Sequence, residues 1–143
     1  MPKPDDNSKP RVLRKIALGH FKDRQILMVR DNQNEKIFYF LGGKVEQGET
    51  DTECLAREVR EELNVDLSLE SLKFLKEFQA PAFGKHNAVV NIRLYKGLFK
   101  REPETTEEIV EFRYLDSTAD PETLTPIANE QIFPWLKEHE YID

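Results

Sequence analysis

One helix is marked in the sequence at both ends and along its length, and it constrains the fold more than any other segment. Thr50 or Asp51 can cap its N-terminus, and Glu53 stands at capping-box spacing from Thr50. Its apolar side chains recur every four residues, at Leu55, Val59 and Leu63. Asn64 follows, and Asn is second only to Gly as a left-handed C-terminal cap. The pattern predicts a helix from this cap to Asn64, with one face buried.

The remaining elements are predicted from apolar runs and from turn residues. Strands are expected at residues 12–21, 25–30, 37–41, 72–78, 88–99 and 109–115. The strand at 37–41 is expected to stop at Gly42-Gly43, and a second helix is expected at 127–139, with Pro134 in its first turn or at a kink. Strands framing two helices predict an α/β fold, an α/β/α sandwich around a mixed sheet. Residues 11–143 are expected to form one domain behind a flexible tail at residues 1–10.

Composition excludes several classes of protein. The chain has 143 residues and a net charge of −6, so a basic surface for a nucleic acid polymer is not expected. No apolar run approaches the ~20 residues that cross a bilayer, and the first ten residues lack the apolar stretch of a signal peptide. Cys54 is the single cysteine, which excludes an internal disulfide. We therefore predict a cytoplasmic protein, monomeric or homodimeric, with no membrane or nucleic acid partner.

The negative charge is concentrated around the predicted helix. Residues 43–66 contain eight acidic and three basic residues, a net charge of −5. Glu58, Glu61 and Glu62 share one helix face. Charge repulsion disfavours the ionisation of all three carboxylates unless a cation is bound. Oxygen ligands of this kind suit Mg²⁺, or Mn²⁺ in its place, and the carbonyl of Gly43 is a further possible ligand. Arg57 can hold Glu61, four residues on. The ordinary alternative is a solvated acidic surface.

The whole string decides between these interpretations. It reads Gly43, five residues, Glu49, seven residues, then Arg57, Glu58, Val59, Arg60, Glu61, Glu62, Leu63, Asn64 and Val65. This resembles the Nudix box, and six of its seven fixed residues are present at the right spacing. The family's final glycine is Asn64 here, and Leu41 stands where many members have proline. Because Asn also adopts the left-handed conformation, we expect the helix exit to be preserved.

The resemblance implies a Nudix fold and a metal-dependent hydrolase of nucleoside diphosphates linked to another moiety. By analogy with the family, Glu61 and Glu62 are expected to bind metal, and Glu58 to be a ligand or the general base. Gly43 would contribute its carbonyl, and Glu49 would support the loop by pairing with Arg57. Many members recruit one more acid from a later loop. Here the candidates are Glu107 and Glu108, and Glu108 is taken as the predicted ligand.

The substrate contacts are predicted from single residues and short stretches of sequence. Asn129 lies in an Ala-Asn-Glu stretch that resembles MutT-type nucleoside triphosphatases, where the asparagine reads a purine; capping of the helix is the alternative. Phe83, in a loop, is a candidate for stacking on a base. Arg30 and Lys44 are candidate substrate contacts, as are two neighbours of Phe83, Lys85 and His86.

The sequence leaves the substrate open. The favoured reaction is cleavage of a (d)NTP to a nucleoside monophosphate and pyrophosphate. Pro81 lies sixteen residues past Val65, close to a proline of some ADP-ribose hydrolases of the family, so ADP-ribose is an alternative. Nucleotide sugars and dinucleoside polyphosphates are others. A non-catalytic nucleotide-binding module is the alternative of another class, although such proteins usually lose the glutamates kept here. An isomerase would need a reactive cysteine, and we expect Cys54 to be buried and inert.

Overall fold

A computed structural model describes residues 9–143, so the predicted tail lies outside the described residues except for Lys9 and Pro10. The strands are β1 (Arg11–Gly19), β2 (Phe21–Lys22), β3 (Gln25–Asp31), β4 (Tyr39–Lys44), β5 (Leu67–Pro81), β6 (Ala88–Phe99) and β7 (Ile109–Leu115). Helix α1 is Asp51–Leu63 and α2 is Phe133–Glu138. A 3-10 turn at Pro121–Thr123 and a π-helical turn at Ala128–Ile132 precede α2.

The strands form one mixed sheet in the order β2-β3-β4-β1-β6-β5, with β7 also paired to β3. Only β1 and β6 run parallel among the paired strands of residues 9–143. Neighbouring residues on β1 face opposite sides, as the pleat requires. Leu18 packs in the cluster with α1, whereas Ala17 packs in the cluster with α2. The sheet therefore has a helix on each face, which confirms the predicted α/β/α sandwich. No helix among the described residues is long and apolar enough to span a bilayer.

Helix α1 has both predicted caps. The Thr50 side chain accepts a hydrogen bond from the Glu53 backbone, and the Glu53 side chain accepts one from the Thr50 backbone, which completes the capping box. Asn64 ends the helix in the left-handed region, with φ 51° and ψ 44°. The buried stripe of Leu55, Val59 and Leu63 is fully enclosed. Local sequence therefore determines both the limits of this helix and the face that it buries.

Several element boundaries differ from the prediction. Strand β4 continues through Gly42-Gly43 to Lys44, because both glycines pair with β1 in the registers Ala17↔Gly42 and Ile16↔Gly43. Tertiary pairing here overrides the low strand preference of glycine. Strand β5 is longer than residues 72–78, and the predicted strand at 12–21 is divided into β1 and β2. The C-terminal helix begins with the π-helical turn, and Pro134 occupies the first turn of α2.

Candidate active site

Two glycines of β4 let the strand approach the acidic face of α1. A Cβ added at Gly43 would overlap the Glu58 carboxylate, so a side chain at this position would displace Glu58. Gly42 has φ +141°, and its N–H donates to Oε1 of Glu62 at 3.2 Å. A Cβ added at Gly42 would overlap the carbonyl oxygen of Ile16 on β1. The glycine pair is thus required by close approach on both sides of β4.

Arg57 organises the carboxylates around it. Its Nε donates to Oε2 of Glu49 at 2.5 Å and its NH2 donates to Oε1 at 3.0 Å, a bidentate pair. Its NH1 donates to Oε2 of Glu58 and to Oε1 of Glu61, each at 3.2 Å. NH2 also donates to the carbonyl oxygen of Lys44 at 3.2 Å. One guanidinium therefore ties the loop before α1 to Glu58 and Glu61 on the helix.

The carboxylates of the site differ in charge state. Glu62 is only 9% exposed, and burial, together with repulsion from Glu58, Glu108 and Glu61, raises its pKa to about 8. Burial also raises the pKa of Glu58, although Arg57 opposes that shift. The hydrogen bonds from Arg57 hold the pKa of Glu49 at about 2. At neutral pH Glu49 is therefore ionised, whereas Glu62 retains its proton in the absence of a compensating cation.

The donor chemistry of this cluster fits a hard divalent cation. Glu58, Glu61, Glu62 and Glu108 provide carboxylate oxygens, and the repulsion between them is what a bound cation removes. The present geometry is not closed around an ion: within residues 9–143 no group of three or more His, Cys, Asp or Glu side chains is arranged so that it could hold a metal. The expectation that the glutamates converge is therefore not met in this arrangement. Arg57 draws Glu58 and Glu61 to itself, and Glu62 turns to the N–H of Gly42.

A cavity of about 500 Å³ adjoins the carboxylates. Gly42, Gly43, Glu62 and Glu108 contribute to its wall, so the cavity and the acidic cluster are continuous. Most of the other wall is apolar and includes Leu13, Ala17, Phe40, Ala82, Val90, Ile92 and Ile127. A cavity of this size, apolar with a few polar groups, is typical of a small-molecule site.

The structure separates the predicted substrate contacts into two groups. Phe83, which is 57% exposed, lines the cavity together with Lys85 and Pro81. Asn129 is exposed and does not line it, and its backbone N–H donates to the carbonyl oxygen of Thr125. The side chains of three other predicted contacts also lie outside the lining: Arg30, Lys44 and His86.

Arg30 has structural partners instead. Its Nε donates to Oε1 of Glu111 at 3.0 Å, and its NH1 donates to the carbonyl oxygen of Asn34 at 2.8 Å. Glu107, the alternative to Glu108, is exposed and lies outside the cavity lining; its carbonyl oxygen accepts from the Asn32 side chain. Of the two neighbouring glutamates, Glu108 is the one that reaches the cavity.

Sequence reasoning missed four polar residues in the cavity wall: Lys15, Asp31, Tyr39 and Thr125. A signal for Lys15 was available, since alternation along β1 places it on the same face as Leu13 and Ala17. Thr125 gave no signal, because its position depends on how the chain before α2 crosses the sheet.

Cys54 is buried near the site but does not line the cavity. Burial, followed by the charge of Glu49, raises the pKa of its thiol to about 11. Its Sγ lies 3.5 Å from the carbonyl oxygen of Lys44. A thiol that stays protonated at neutral pH is a poor nucleophile, which argues against cysteine-based isomerase chemistry.

Comparison with known proteins gives a family and a fold. The sequence pattern of the family described as NUDIX domain matches residues 15–136. The solution structure of the E. coli ORF135 protein is similar, with a TM-score of 0.70, 20% identity and 100% of each chain covered. So is a MutT NUDIX hydrolase from Burkholderia pseudomallei, with a TM-score of 0.67, 21% identity and coverage of 85% of this chain and 98% of that chain.

A third similar structure is the E. coli dihydroneopterin triphosphate pyrophosphohydrolase. Its TM-score is 0.67 at 19% identity, with coverage of 92% of this chain and 98% of that chain. A search of curated protein sequences finds no significant match. At these identities the structural likenesses show the fold, and the substrate does not follow from them.

Proposed function

Because the chain belongs to the NUDIX family of hydrolases, we propose that it is a divalent-metal-dependent pyrophosphohydrolase that cleaves a (d)NTP to a nucleoside monophosphate and pyrophosphate. One observation carries the proposal. Glu62 and Glu108 line a nucleotide-sized cavity, and the Glu58 carboxylate lies against Gly43 of the same wall. The acidic groups that would hold a cation therefore adjoin the cavity that would hold a diphosphate.

The proposed ligands of the cation are Glu58, Glu61, Glu62, the carbonyl of Gly43, and Glu108 as the later acid. A bound Mg²⁺, or Mn²⁺ in its place, supplies neutralisation of the phosphate oxygens and favours ionisation of the attacking water. Since Glu62 binds its proton with a pKa of about 8, cation binding at neutral pH is expected to release that proton.

The other residues of the box are given roles by their contacts. Glu58 is proposed either as a ligand of the cation or as the general base that accepts a proton from the attacking water; its pKa, raised by burial, is compatible with the second role. Arg57 does not reach the cavity wall; it positions Glu58 and Glu61 and is in turn held by Glu49. Phe83 lines the cavity beside the apolar wall, where its ring can stack on a base.

A second substrate class has one observation in its favour. Pro81, the residue that suggested ADP-ribose, lines the cavity, whereas Asn129, which suggested a purine triphosphate, is exposed outside it. Among the similar structures, one is described as a MutT NUDIX hydrolase and another as a dihydroneopterin triphosphate pyrophosphohydrolase, which favours the triphosphate. ADP-ribose therefore remains the alternative substrate, with nucleotide sugars and dinucleoside polyphosphates behind it.

Product release from a substrate panel tests the reaction. Canonical and oxidised (d)NTPs, ADP-ribose, nucleotide sugars and dinucleoside polyphosphates are each assayed with Mg²⁺, with Mn²⁺ and with EDTA. We expect metal-dependent pyrophosphate release, fastest with a (d)NTP. Preference for ADP-ribose would overturn the substrate, and absence of turnover with nucleotide still bound would favour the non-catalytic binding module.

Variants test the assigned residues in the same assay. Glu61→Gln and Glu62→Gln are expected to lower kcat by orders of magnitude, whereas Glu70→Gln, an exposed acid on β5, leaves it unchanged. An unchanged rate in either box variant removes that residue from the ligand set. Asn129→Ala is expected to alter the preference between purine and pyrimidine substrates, and a uniform fall would assign Asn129 to the helix start.

The cellular setting is proposed on composition. A lone, buried cysteine suits a reducing cytoplasm, and the net charge of −6 suits a small nucleotide better than a nucleic acid polymer. We propose a monomer or a homodimer. Size-exclusion chromatography with light scattering distinguishes the two.

A further inference from the structure

Two lysines, Lys15 and Lys85, line the cavity, and a third, Lys44, is the cross-strand neighbour of Lys15. Lys15 on β1 and Lys44 on β4 are direct cross-strand partners, so their side chains leave the sheet on the same face. Lys85, from the loop between β5 and β6, lines the cavity together with Lys15. The three come from three separate segments of the chain, and only the fold brings them together.

No ion pair among residues 9–143 includes Lys15, Lys44 or Lys85, in a chain with 27 acidic and 21 basic residues. Like charges opposite each other across a strand pair are destabilising. Partial burial lowers the pKa of Lys15 and the charge of Lys85 lowers it further, whereas the charge of Glu62 opposes the shift. The arrangement costs stability in the free protein, which an anion in the cavity would offset.

The cavity wall therefore carries charges of both signs. Glu62 and Glu108 lie in the wall beside α1, where the proposed cation binds, and Lys15 and Lys85 lie in the same wall. A cation at the carboxylates neutralises part of a phosphate chain. The lysines are available for a phosphoryl oxygen that this cation leaves charged.

We propose that Lys15 and Lys85 bind a phosphoryl group of the substrate that the carboxylate-bound cation does not neutralise, and that this pair selects substrates with a terminal phosphate over diphosphate diesters. A terminal phosphate, with a second ionisation near pH 6, carries up to about one more negative charge than an internal one. A (d)NTP has such a group, and ADP-ribose has none in its diphosphate linkage. The inference rests on the proposed function, whose substrate class it deepens.

Anion binding without metal tests the lysine pair apart from catalysis. Inorganic tripolyphosphate is titrated calorimetrically into the protein in EDTA at low salt. We expect Lys15→Met/Lys85→Met to bind about 10- to 100-fold more weakly than the wild type, the range for hydrogen bonds to charged groups. Lys73→Met, which removes an exposed lysine outside the cavity, is the matched control and is expected to bind as the wild type does. Lys15→Arg, which keeps the charge, is expected to retain most of the binding.

Equal binding by the wild type and the double variant would overturn the proposal, and so would an absence of binding by the wild type. Circular dichroism and thermal unfolding of each variant exclude misfolding as the cause of a loss. The single Lys85→Met variant, altered in an exposed loop, keeps the test available if substitution of Lys15 disturbs β1.

Selectivity is tested by the ratio of kcat/KM for a (d)NTP to that for ADP-ribose. The double variant is expected to lower this ratio about tenfold or more, mainly through KM for the (d)NTP, because the lost contact serves the terminal phosphate alone. An unchanged ratio would overturn the selectivity. If no panel compound is hydrolysed while lysine-dependent tripolyphosphate binding persists, the proposed function fails and the anion site stands.

Discussion

Arg57 binds both carboxylate oxygens of Glu49, with Nε 2.5 Å from Oε2 and NH2 3.0 Å from Oε1. The pair joins the loop that follows β4 to the second turn of α1. From this position the same guanidinium reaches Glu58 and Glu61. The orientation of two acidic side chains on the helix therefore depends on a contact with an acid that lies before the helix.

Replacing Arg57 by lysine tests that dependence. Lysine keeps the charge but loses the planar fork, so it does not satisfy Glu49 bidentately while reaching Glu58. We expect Arg57→Lys to fold and to lose on the order of 10²-fold in kcat, as a small displacement of catalytic groups does. Steady-state kinetics on the preferred substrate measures it, with Arg60→Lys on the exposed side of the helix as control. Equal rates for Arg57→Lys and the wild type would remove Arg57 from this positioning role.

Substitution of the two glycines of β4 is expected to have different effects, a loss of stability at Gly42 and a loss of activity at Gly43. At Gly42 a side chain meets the carbonyl oxygen of Ile16 and a positive φ, so Gly42→Ala is expected to destabilise the fold by about 1–3 kcal/mol. At Gly43 it meets only the flexible end of Glu58. Gly43→Ala is therefore expected to keep most of its stability and to lose activity, because Glu58 is displaced. Urea unfolding and kinetics of both variants separate the two effects; similar losses of stability would contradict this account.

Glu62 gives the metal-free protein a pH-dependent stability. Its pKa is about 8 in the folded state and 4.5 ordinarily, so between these values the folded protein keeps a proton that the unfolded chain has lost. The stabilising contribution is complete below about pH 4.5 and is lost as the pH rises to about 8, by up to about 1.4 kcal/mol per pH unit.

Glu62→Gln is expected to remove this dependence. In EDTA, the thermal stability of the wild type falls relative to that of the variant as the pH rises from 5 to 8.5. Addition of Mg²⁺ at pH 8 is expected to stabilise the wild type and to leave the variant less affected, since the ionised carboxylate then has its cation. Differential scanning calorimetry over this pH range measures both effects. Parallel stability curves for the two proteins would contradict the assignment.

Asp51 anchors the N-terminus of α1 to β6. It accepts from Nε and NH2 of Arg93 at 3.0 and 2.7 Å, and from the hydroxyl of Tyr95 at 2.7 Å. These bonds hold the pKa of Asp51 below its ordinary value, so its contribution is present at neutral pH and is lost as the pH falls through the folded-state pKa. We expect Asp51→Asn to lower the free energy of unfolding by about 1 kcal/mol at pH 7 and by less in acid. Urea titrations at pH 7 and pH 3 provide the check; an equal loss at both would argue against the ionic contribution.

Asn64 tests the departure from the family pattern. Its φ of 51° is accessible to Gly and Asn, and its side chain also donates to Oε1 of Glu104 at 3.0 Å. Asn64→Gly is expected to change stability by less than about 0.5 kcal/mol, whereas Asn64→Ala costs about 1 kcal/mol, because alanine is strained in the left-handed region. Thermal unfolding of the two variants decides. A loss as large in the glycine variant would mean that the Glu104 contact outweighs backbone conformation.

Helix α1 shows how far local sequence carries the prediction. Its caps, buried stripe and acidic face depend on side chains within one turn of one another, so spacing along the chain predicts them. The limits of β6 and β7 follow in the same way from their apolar runs. The glycines of β4 mark the limit of this reasoning, since their strand conformation comes from pairing with Ile16 and Ala17 on β1.

The sequence by itself therefore determined the sandwich, the helix and the family. Only the tertiary structure decided which side chains share the cavity: it placed Lys15, Asp31 and Thr125 in the wall and left Asn129 and Arg30 outside. It also determined the protonation state of Glu62, because the pKa of that carboxylate depends on burial and on the charges of Glu58, Glu61 and Glu108. The physical reason is the separation along the chain of the residues that interact. Caps and stripes arise from contacts within a helix, whereas cavities and shifted pKa values arise between segments that are distant in the chain and meet only in the folded protein.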